Sequence, residues 1–597
     1  MDERYTVDLQ PVGRRAHIAA DETLLDAARQ SGVALTSVCG GIGACDTCRV
    51  QLVSGRLTAP SMAEEALFSP TELGAGWRLA CQASPQSDVR LDIPPECLGA
   101  AQRLQVEGEA VDLDFAPSVR PLDVTIPPAS IHAPHADDVR LRAVLRAHAL
   151  PDVVLWRAAL CRLPDSLQAG NGRVRVIVRD ERDIIAILPP STAVFGLAFD
   201  IGTTGMAGYL VDLQSGEIRA RAGAMNPQIA YGEDVVSRIM YANQHQDGAL
   251  QTKLVASLNG LIDTLCHTAD ATPEQIVDVV AVGNTAMHHL FAGLPVRQLG
   301  EAPYAPVVQG ALRFPAGDVG LRTAAGAVIY MPPNIAGYVG ADHVAMLAAI
   351  RAWQPDSGVR LAIDIGTNTE LTLSAGGRHL ACSCASGPAF EGAHIRDGMR
   401  AAPGAIERVR LIDGEVFAQT IDDQPATGIC GSGILEAISG LAANGKIDQR
   451  GAFTTSGESA FLLVAAEQTG HGRDIIISRK DIAEIQLAKA AIAAGITVLL
   501  QKVGLNTSDI ERVIIAGAFG TYIDLAGAVQ IGMLPDVALD RFEQIGNAAG
   551  VGAWQFLLSR HLREQAEALV ADVDYIELTT EPDFQHLFID SMALRPM

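Results

Sequence analysis

VFGLAFDIGTTGMAGYLVDL, residues 194–213, and VRLAIDIGTNTELTLSAG, residues 359–376, carry one pattern twice. In each, an apolar run of strand length ends in Asp-Ile-Gly-Thr, and a second strand-like run follows at once. Asp200 and Asp364 are separated by about one domain length, so the repeat predicts two tandem α/β units of common ancestry. Each glycine loop, with Gly202-Thr203-Thr204 in the first copy and Gly366-Thr367-Asn368 in the second, turns between two strands and points backbone N–H groups at a phosphate. Each aspartate, at a strand end, then faces Mg²⁺ directly or through water. A glycine turn after an aspartate is common between strands, so one copy says little. Two in tandem with a third glycine motif say much more. The third is RVIIAGAFGTYID, residues 512–524, where an apolar strand runs into Gly517 and Gly520 and the missing side chains allow close approach to an adenine or ribose face. The competing reading of that stretch is a plain strand-to-helix turn.

Around this repeat lies a chain of 597 residues, 48% hydrophobic and 19% charged, long enough for several cores. Acidic residues outnumber basic ones 69 to 45, a formal charge of −24 that repels phosphate backbones and anionic membranes. The expectation is neither a nucleic-acid nor a membrane partner. The first residues, MDERYTVDLQ, carry acids and no apolar signal core. The longest apolar stretch, IQLAKAAIAAGITVLLQK at 485–502, is interrupted by Lys489 and reads as a buried helix, so a cytoplasmic address is expected. There is no GxxxxGK[ST]. With only five lysines, the first at Lys253, phosphate charge must be met by backbone N–H groups, Mg²⁺ and arginine.

Four of the ten cysteines, Cys39, Cys45, Cys48 and Cys81, cluster in the first 81 residues. The spacing is Cys-x5-Cys-x2-Cys with a distant fourth. Gly40, Gly41 and Gly43 let the loop fold tightly and leave N–H groups free for sulfur. A structural zinc site is the usual alternative, but it comes as two short cysteine knuckles, and here the fourth cysteine stands alone. The spacing therefore favours a [2Fe–2S] cluster. Before the loop, YTVDLQPV and RRAHIAAD alternate as a hairpin, and a helix capped by Asp21 or Thr23 runs to Gly32. Hairpin, helix, glycine-rich loop and late cysteine resemble a ferredoxin-type β-grasp domain, with the longer first gap of the adrenodoxin-like branch. Cys97 is read as a bystander.

The expected organisation is a ferredoxin-type domain over 1–97, a linker over 98–118 that lets it move, a small α/β domain over 119–190, and a duplicated unit over 191–597 with halves near 191–357 and 358–597. His132, His135 and His148 lack partners at ligand spacing and read as solvated. Cys382 and Cys384, which share a strand face, and Cys430 read as packing residues, with a redox pair as the alternative. His288 and His289 read as helix residues that pack or face solvent.

The two DIGT loops and the third glycine motif, in this order, resemble the nucleotide site of the actin, sugar kinase and heat-shock chaperone superfamily. AVGNTAMHHLFAG (281–293), PPNIAGYVGADHVAML (332–347), ACSCASGPAFEGAHI (381–395) and TGICGSGILEAISGL (427–441) extend the match. Across nearly the whole chain the combination resembles the reductive activators of corrinoid proteins. That resemblance implies a multidomain α+β and α/β protein with a β-grasp ferredoxin-like domain, a small middle domain and a duplicated actin-like (RNase H-like) ATPase unit.

The resemblance also implies a function. ATP would drive one electron from the cluster to the cob(II)amide of a corrinoid methyl-carrier protein, restoring cob(I). Cys39, Cys45, Cys48 and Cys81 would hold the cluster, and Asp200 and Asp364 would organise Mg²⁺ and the attacking water. Gly202, Thr203, Thr204, Gly366, Thr367 and Asn368 would cradle phosphates, Gly517 and Gly520 would line the nucleoside, and Glu370 and Asp342 are candidates to position water. An upstream reductase or ferredoxin and a homodimer are expected as well. Thr369 stands where the family pattern has glycine and narrows the second loop. Two other functions fit less well: an ATP-driven electron donor to a non-corrinoid enzyme, and a small-molecule kinase with a redox-regulatory ferredoxin domain.

Overall fold

The computed structural model describes residues 4–597 apart from 11–13, 32, 34, 95–96, 98–112, 233, 354–357, 393, 413–414, 471 and 518. Most of the expected linker and the expected helix stop at Gly32 lie outside the described residues. β1 (Arg4–Gln10) and β2 (Arg14–Ala19) pair as the expected hairpin. In α1 (Leu24–Gln30) the cap is Thr23, whose hydroxyl accepts from the Asp26 N–H while Asp26 takes the Thr23 N–H. After β3 (Arg49–Ser54), α2 (Met62–Leu67) and α3 (Pro70–Gly74), strands β4 (Trp77–Leu79) and β5 (Val89–Asp92) complete a sheet ordered β2-β1-β5-β3-β4. Cys97 packs in the core beneath it.

A second sheet, ordered β6-β8-β9-β7, comprises β6 (Val119–Thr125), β7 (Val154–Leu155), β8 (Arg173–Arg179) and β9 (Asp183–Leu188). Two helices accompany it, α4 (Asp137–Ala147) and α5 (Arg157–Ala169). The sequence reading missed α5 because Pro164 stands inside it; the buried pair Ala159 and Leu163 holds that helix to the sheet regardless. Residues 113–118 are not free either. Ala116 donates to the Leu558 carbonyl at 2.8 Å and accepts from the Arg560 N–H at 2.9 Å, so the chain is pinned before β6 begins.

The repeat forms two six-stranded sheets with matching centres. In the first, β10 (Phe195–Ile201) pairs antiparallel with β11 (Gly205–Asp212) and parallel with β13 (Ile276–Val282), with β12 (Ile218–Met225), β14 (Leu312–Pro315) and β15 (Val328–Met331) outside them. Helices α6 (Val235–His245), α7 (Ala249–Ala269), α8 (Thr285–Ala292) and α9 (Ala341–Ala349) accompany it. In the second, β16 (Arg360–Ile365) pairs antiparallel with β17 (Thr369–Ala375), which pairs with β18 (Arg378–Cys384). An insertion carries β19 (Ala405–Ile412), β20 (Glu415–Thr420), β21 (Gly428–Ile429), α10 (Gly431–Ala443), β22 (Ala460–Val464) and β23 (Ile475–Ser478). Then α11 (Arg479–Val503) leads to β24 (Arg512–Ala516), which lies parallel to β16 as β13 lies to β10. By length and composition α11 could cross a membrane; here it is largely buried in the second core. Cys382 and Cys384 face it, where a Cβ on Gly495 would fall 2.4 Å from the Cys384 sulfur.

After α12 (Leu525–Gln530) and β25 (Phe542–Gln544), the chain departs from the expected division into halves. α13 (Ala548–Leu558) and α14 (Arg560–Ala571) pack into the core of the first half before β26 (Val573–Tyr575) and α15 (Phe584–Asp590) return to the second. Nearly every residue of α13 is apolar and all are buried, so it requires a surface on each side. The crossing is fastened by Asp278 of β13, wholly buried between Arg179 of β8 at 2.8 Å and Arg563 of α14 at 2.7 Å. Burial opposes ionisation of Asp278, but Arg563 and Arg179 outweigh it and hold the carboxyl below its usual range. Asp278→Asn leaves two buried guanidiniums without their carboxylate and is expected to cost about 3–5 kcal/mol, read as a lower denaturant midpoint at unchanged slope.

Candidate functional site

The two DIGT turns face each other across a cleft lined by Asp200, Gly202, Thr203, Thr204, Asp342, Asp364, Gly366, Thr367, Asn368, Glu370 and Gly517. Gly517 closes the second loop, because at φ +91° a Cβ there would stand 2.4 Å from the Ile365 carbonyl oxygen. Gly520 is not brought to the cleft; its bare Cα lets the turn fold back on Ala516. Phe519 reaches the cleft instead, stacked on Phe390 with centroids 4.8 Å apart. Thr369 begins β17, buried, with its hydroxyl 2.9 Å from that of Ser386, so it does not narrow the loop.

Several cleft residues escaped the sequence reading. Asn547 hydrogen-bonds Asp200, and its own amide is oriented by accepting the Gly550 N–H at 2.7 Å. Asn284 donates to the Thr203 hydroxyl at 2.9 Å, and Glu391 accepts from Thr204 and Thr367. Arg400 is the one basic side chain among the described residues lining the cleft.

The carboxyls crowd one another. Burial pushes Asp200 up to about 6 against the Asn547 hydrogen bond. Burial and Asp200 push Asp364 to about 7. Burial, Asp364 and Asp200 push Asp342 to about 8. Glu370 is driven well up by burial and by Asp342 and Asp364. A bound cation would relieve this crowding. Mg²⁺ takes one or two carboxylates and keeps its waters, which fits Asp200 and Asp364 at matching strand ends. From the unfolded carboxyl value near 4 up to about 8, the folded protein binds protons that the unfolded chain has lost. Its stability therefore falls as pH rises through that window. Without divalent cations, the melting temperature is expected to drop between about pH 5.5 and 8. Mg²⁺ with a non-hydrolysable ATP analogue should flatten that slope, and an upward slope would refute the crowding.

At the N-terminal sheet the four cysteines gather as two hydrogen-bonded pairs, Cys39 with Cys45 and Cys48 with Cys81. The Cys45 thiol lowers Cys39 to about 5 against burial, helped by the N–H groups of Gly41, Ala44 and Gly43. Two pairs, three of whose members lie in a loop lined with N–H donors while Cys81 follows β4, fit a binuclear cluster, with one pair for each iron.

The cysteine loop rests on the first half of the repeat. The Ser237 hydroxyl on α6 donates to the Asp234 carboxylate at 2.9 Å and lies 3.3 Å from the Val38 carbonyl oxygen, and the Arg29 guanidinium lies 4.5 Å from the centre of the Tyr231 ring. Next to Ser237, Arg238 is fully buried and donates to the carbonyls of Gly232 at 2.8 Å and Thr203 at 2.5 Å. One helix start thus touches both the cysteine loop and the first DIGT loop.

Residues 358–597 match the family model described as the C-terminal domain of RACo, the ASKHA domain, and residues 195–352 match the RACo middle region. Residues 108–193 match the RACo linker region, and residues 7–86 a 2Fe-2S iron-sulfur cluster binding domain. The corrinoid activation enzyme RamQ of Eubacterium limosum is 31% identical over 96% of both chains. The chain belongs to the RACo family. A solved RACo-type structure, the reductive activator for corrinoid, iron-sulfur protein, superposes with a TM-score of 0.73 at 33% identity, covering 99% of this chain and 98% of that one. The [Co(II) methylated amine-specific corrinoid protein] reductase of Methanosarcina barkeri is 26% identical over 67% of this chain and 77% of its own. In RACo terms, β6 to β9 belong to the linker region, and the middle region is the first actin-like half. The ferredoxin-like domain and the duplicated actin-like unit are thus those of the family.

Proposed function

We propose that this protein uses ATP to drive one electron from a [2Fe–2S] centre into the cob(II) state of a corrinoid methyl-carrier protein, restoring cob(I). The observation that supports it best is the α6 start, where Ser237 meets the cysteine loop and Arg238 meets the phosphate loop. Cys39, Cys45, Cys48 and Cys81 would hold the cluster, which supplies a one-electron store near roughly −400 mV. The corrinoid couple lies lower, and each ~59 mV of uphill transfer costs about tenfold in the equilibrium.

ATP work closes that gap. Backbone N–H groups of the two glycine loops take the phosphates, Arg400 adds positive charge, and Phe519 and Gly517 border the nucleoside side. Asp200 and Asp364 would hold Mg²⁺, which would supply charge to the transferring phosphate, and Asp342 and Glu370 would orient the attacking water. Hydrolysis forms a bond from water oxygen to the γ-phosphorus and breaks the bridging bond to ADP. Closure of the halves then favours one conformation of the bound corrinoid protein by the difference in its affinity for the open and closed forms. An upstream reductase or ferredoxin refills the centre, and a homodimer is expected, checked by light scattering.

The test is anaerobic absorbance of a candidate corrinoid carrier mixed with the pre-reduced protein. Conversion of the cob(II) band to cob(I) only with Mg-ATP supports the proposal. Hydrolysis of ATP with an unchanged cob(II) band refutes the corrinoid assignment.

A further inference from the structure

Each half contributes a threonine to one carboxylate. The Thr204 hydroxyl lies 2.7 Å from Glu391 Oε2, and the Thr367 hydroxyl 2.6 Å from Glu391 Oε1. Thr204 belongs to the first phosphate loop and Thr367 to the second, so Glu391 joins both. The turn that carries it is fixed. At Gly392, φ +82°, a Cβ would stand 2.5 Å from the Met399 carbonyl oxygen, and the neighbouring Phe390 ring stacks on Phe519 of the third glycine motif.

A hydroxyl has one proton, and a carboxylate offers only acceptors. At these distances both threonine protons point at Glu391, and each hydroxyl has only lone pairs left for the cleft. Thr203 is set the other way. Asn284 Oδ1 accepts the Met287 N–H at 3.0 Å, which fixes the amide so that its nitrogen donates to the Thr203 oxygen at 2.9 Å. The Thr203 proton therefore remains available to the cleft.

We propose that Glu391 is a positioning residue that turns Thr204 and Thr367 into acceptors, which hold water against the phosphates, while Thr203 alone donates to a phosphate oxygen. This rests on the ATP reading of the cleft and gives the three threonines different roles in place of one shared phosphate cradle.

The test uses the full-length, cluster-loaded protein, with binding of a non-hydrolysable ATP analogue measured beside steady-state hydrolysis. Thr203→Val should weaken analogue binding by about tenfold, the loss of one charge-assisted bond. Thr204→Val and Thr367→Val should change it by less than about threefold yet lower kcat by about tenfold or more, with each serine variant restoring kcat. Glu391→Gln has one acceptor and one donor, so one hydroxyl must turn round; kcat should fall at little-changed KM. Combining it with Thr367→Val should cost less than the product of the two single losses. The proposal is overturned if Thr204→Val or Thr367→Val weakens analogue binding by about tenfold, or if Glu391→Gln hydrolyses ATP as the wild type does. Should Glu391→Gln fail to fold, the ranking of the three valine variants decides. A wild-type protein that binds no analogue removes the ATP reading itself, a result distinct from each of these.

Discussion

Asp200→Asn is expected to lower ATP turnover by about a hundred- to a thousandfold, the usual cost of losing one group that organises charge in the transition state. Asp200 stands at the end of β10, at the turn into the first DIGT loop, and is oriented by Asn547. The substitution keeps shape and removes only the charge that a metal ion requires. It also relieves crowding on Asp364 and Asp342, so the metal-free protein should gain stability near neutral pH. Slower turnover with a higher melting temperature separates a metal ligand from a merely structural aspartate, whose loss lowers both. Full ATP-dependent corrinoid reduction in this variant would remove Asp200 from the mechanism.

Cys48→Ser is expected to abolish corrinoid reduction altogether while leaving ATP hydrolysis within about twofold. Cys48 is fully buried and pairs with Cys81 across the sheet core, so no solvent ligand can take its place. The purified variant should lose its visible absorption, and metal analysis should fall from about two irons per chain to far below that. Zinc at one equivalent in the unaltered protein would restore the structural-metal reading instead. Because the two sites lie in different sheets, a variant that lost hydrolysis as completely as cluster binding would point to misfolding.

The parts legible in the sequence are those with short-range grammar. Two DIGT turns, a glycine motif on a buried strand and three cysteines in one loop each carry their meaning within a dozen residues, and only the fourth cysteine lies farther off. Glu391 stands inside GPAFEG, a stretch noted for its glycines and not for its acid, and its two partners come from both halves. Asn547 reaches Asp200 from far along the chain, because α13 returns to the first half, and no spacing rule anticipates that. Arg238, which no motif singles out, is wholly buried. In the other direction, Gly520 looked like a nucleoside contact because a missing side chain suggests close approach, but what approaches is its own strand. Local pattern named the loops, and tertiary crossing decided which side chains they meet.

The return of α13 and α14 also sets an order on biosynthesis. During translation, β10 to β15 emerge long before Asn547, Arg563 and the helix that covers their sheet. Until residue 571 has left the ribosome, the first half has an uncovered apolar face, an Asp278 without Arg563 and an Asp200 without Asn547. The half made first is therefore completed nearly last. A nascent chain halted at residue 540 should be held by chaperones or degraded, whereas one halted beyond residue 571 should already resist protease across the whole first half.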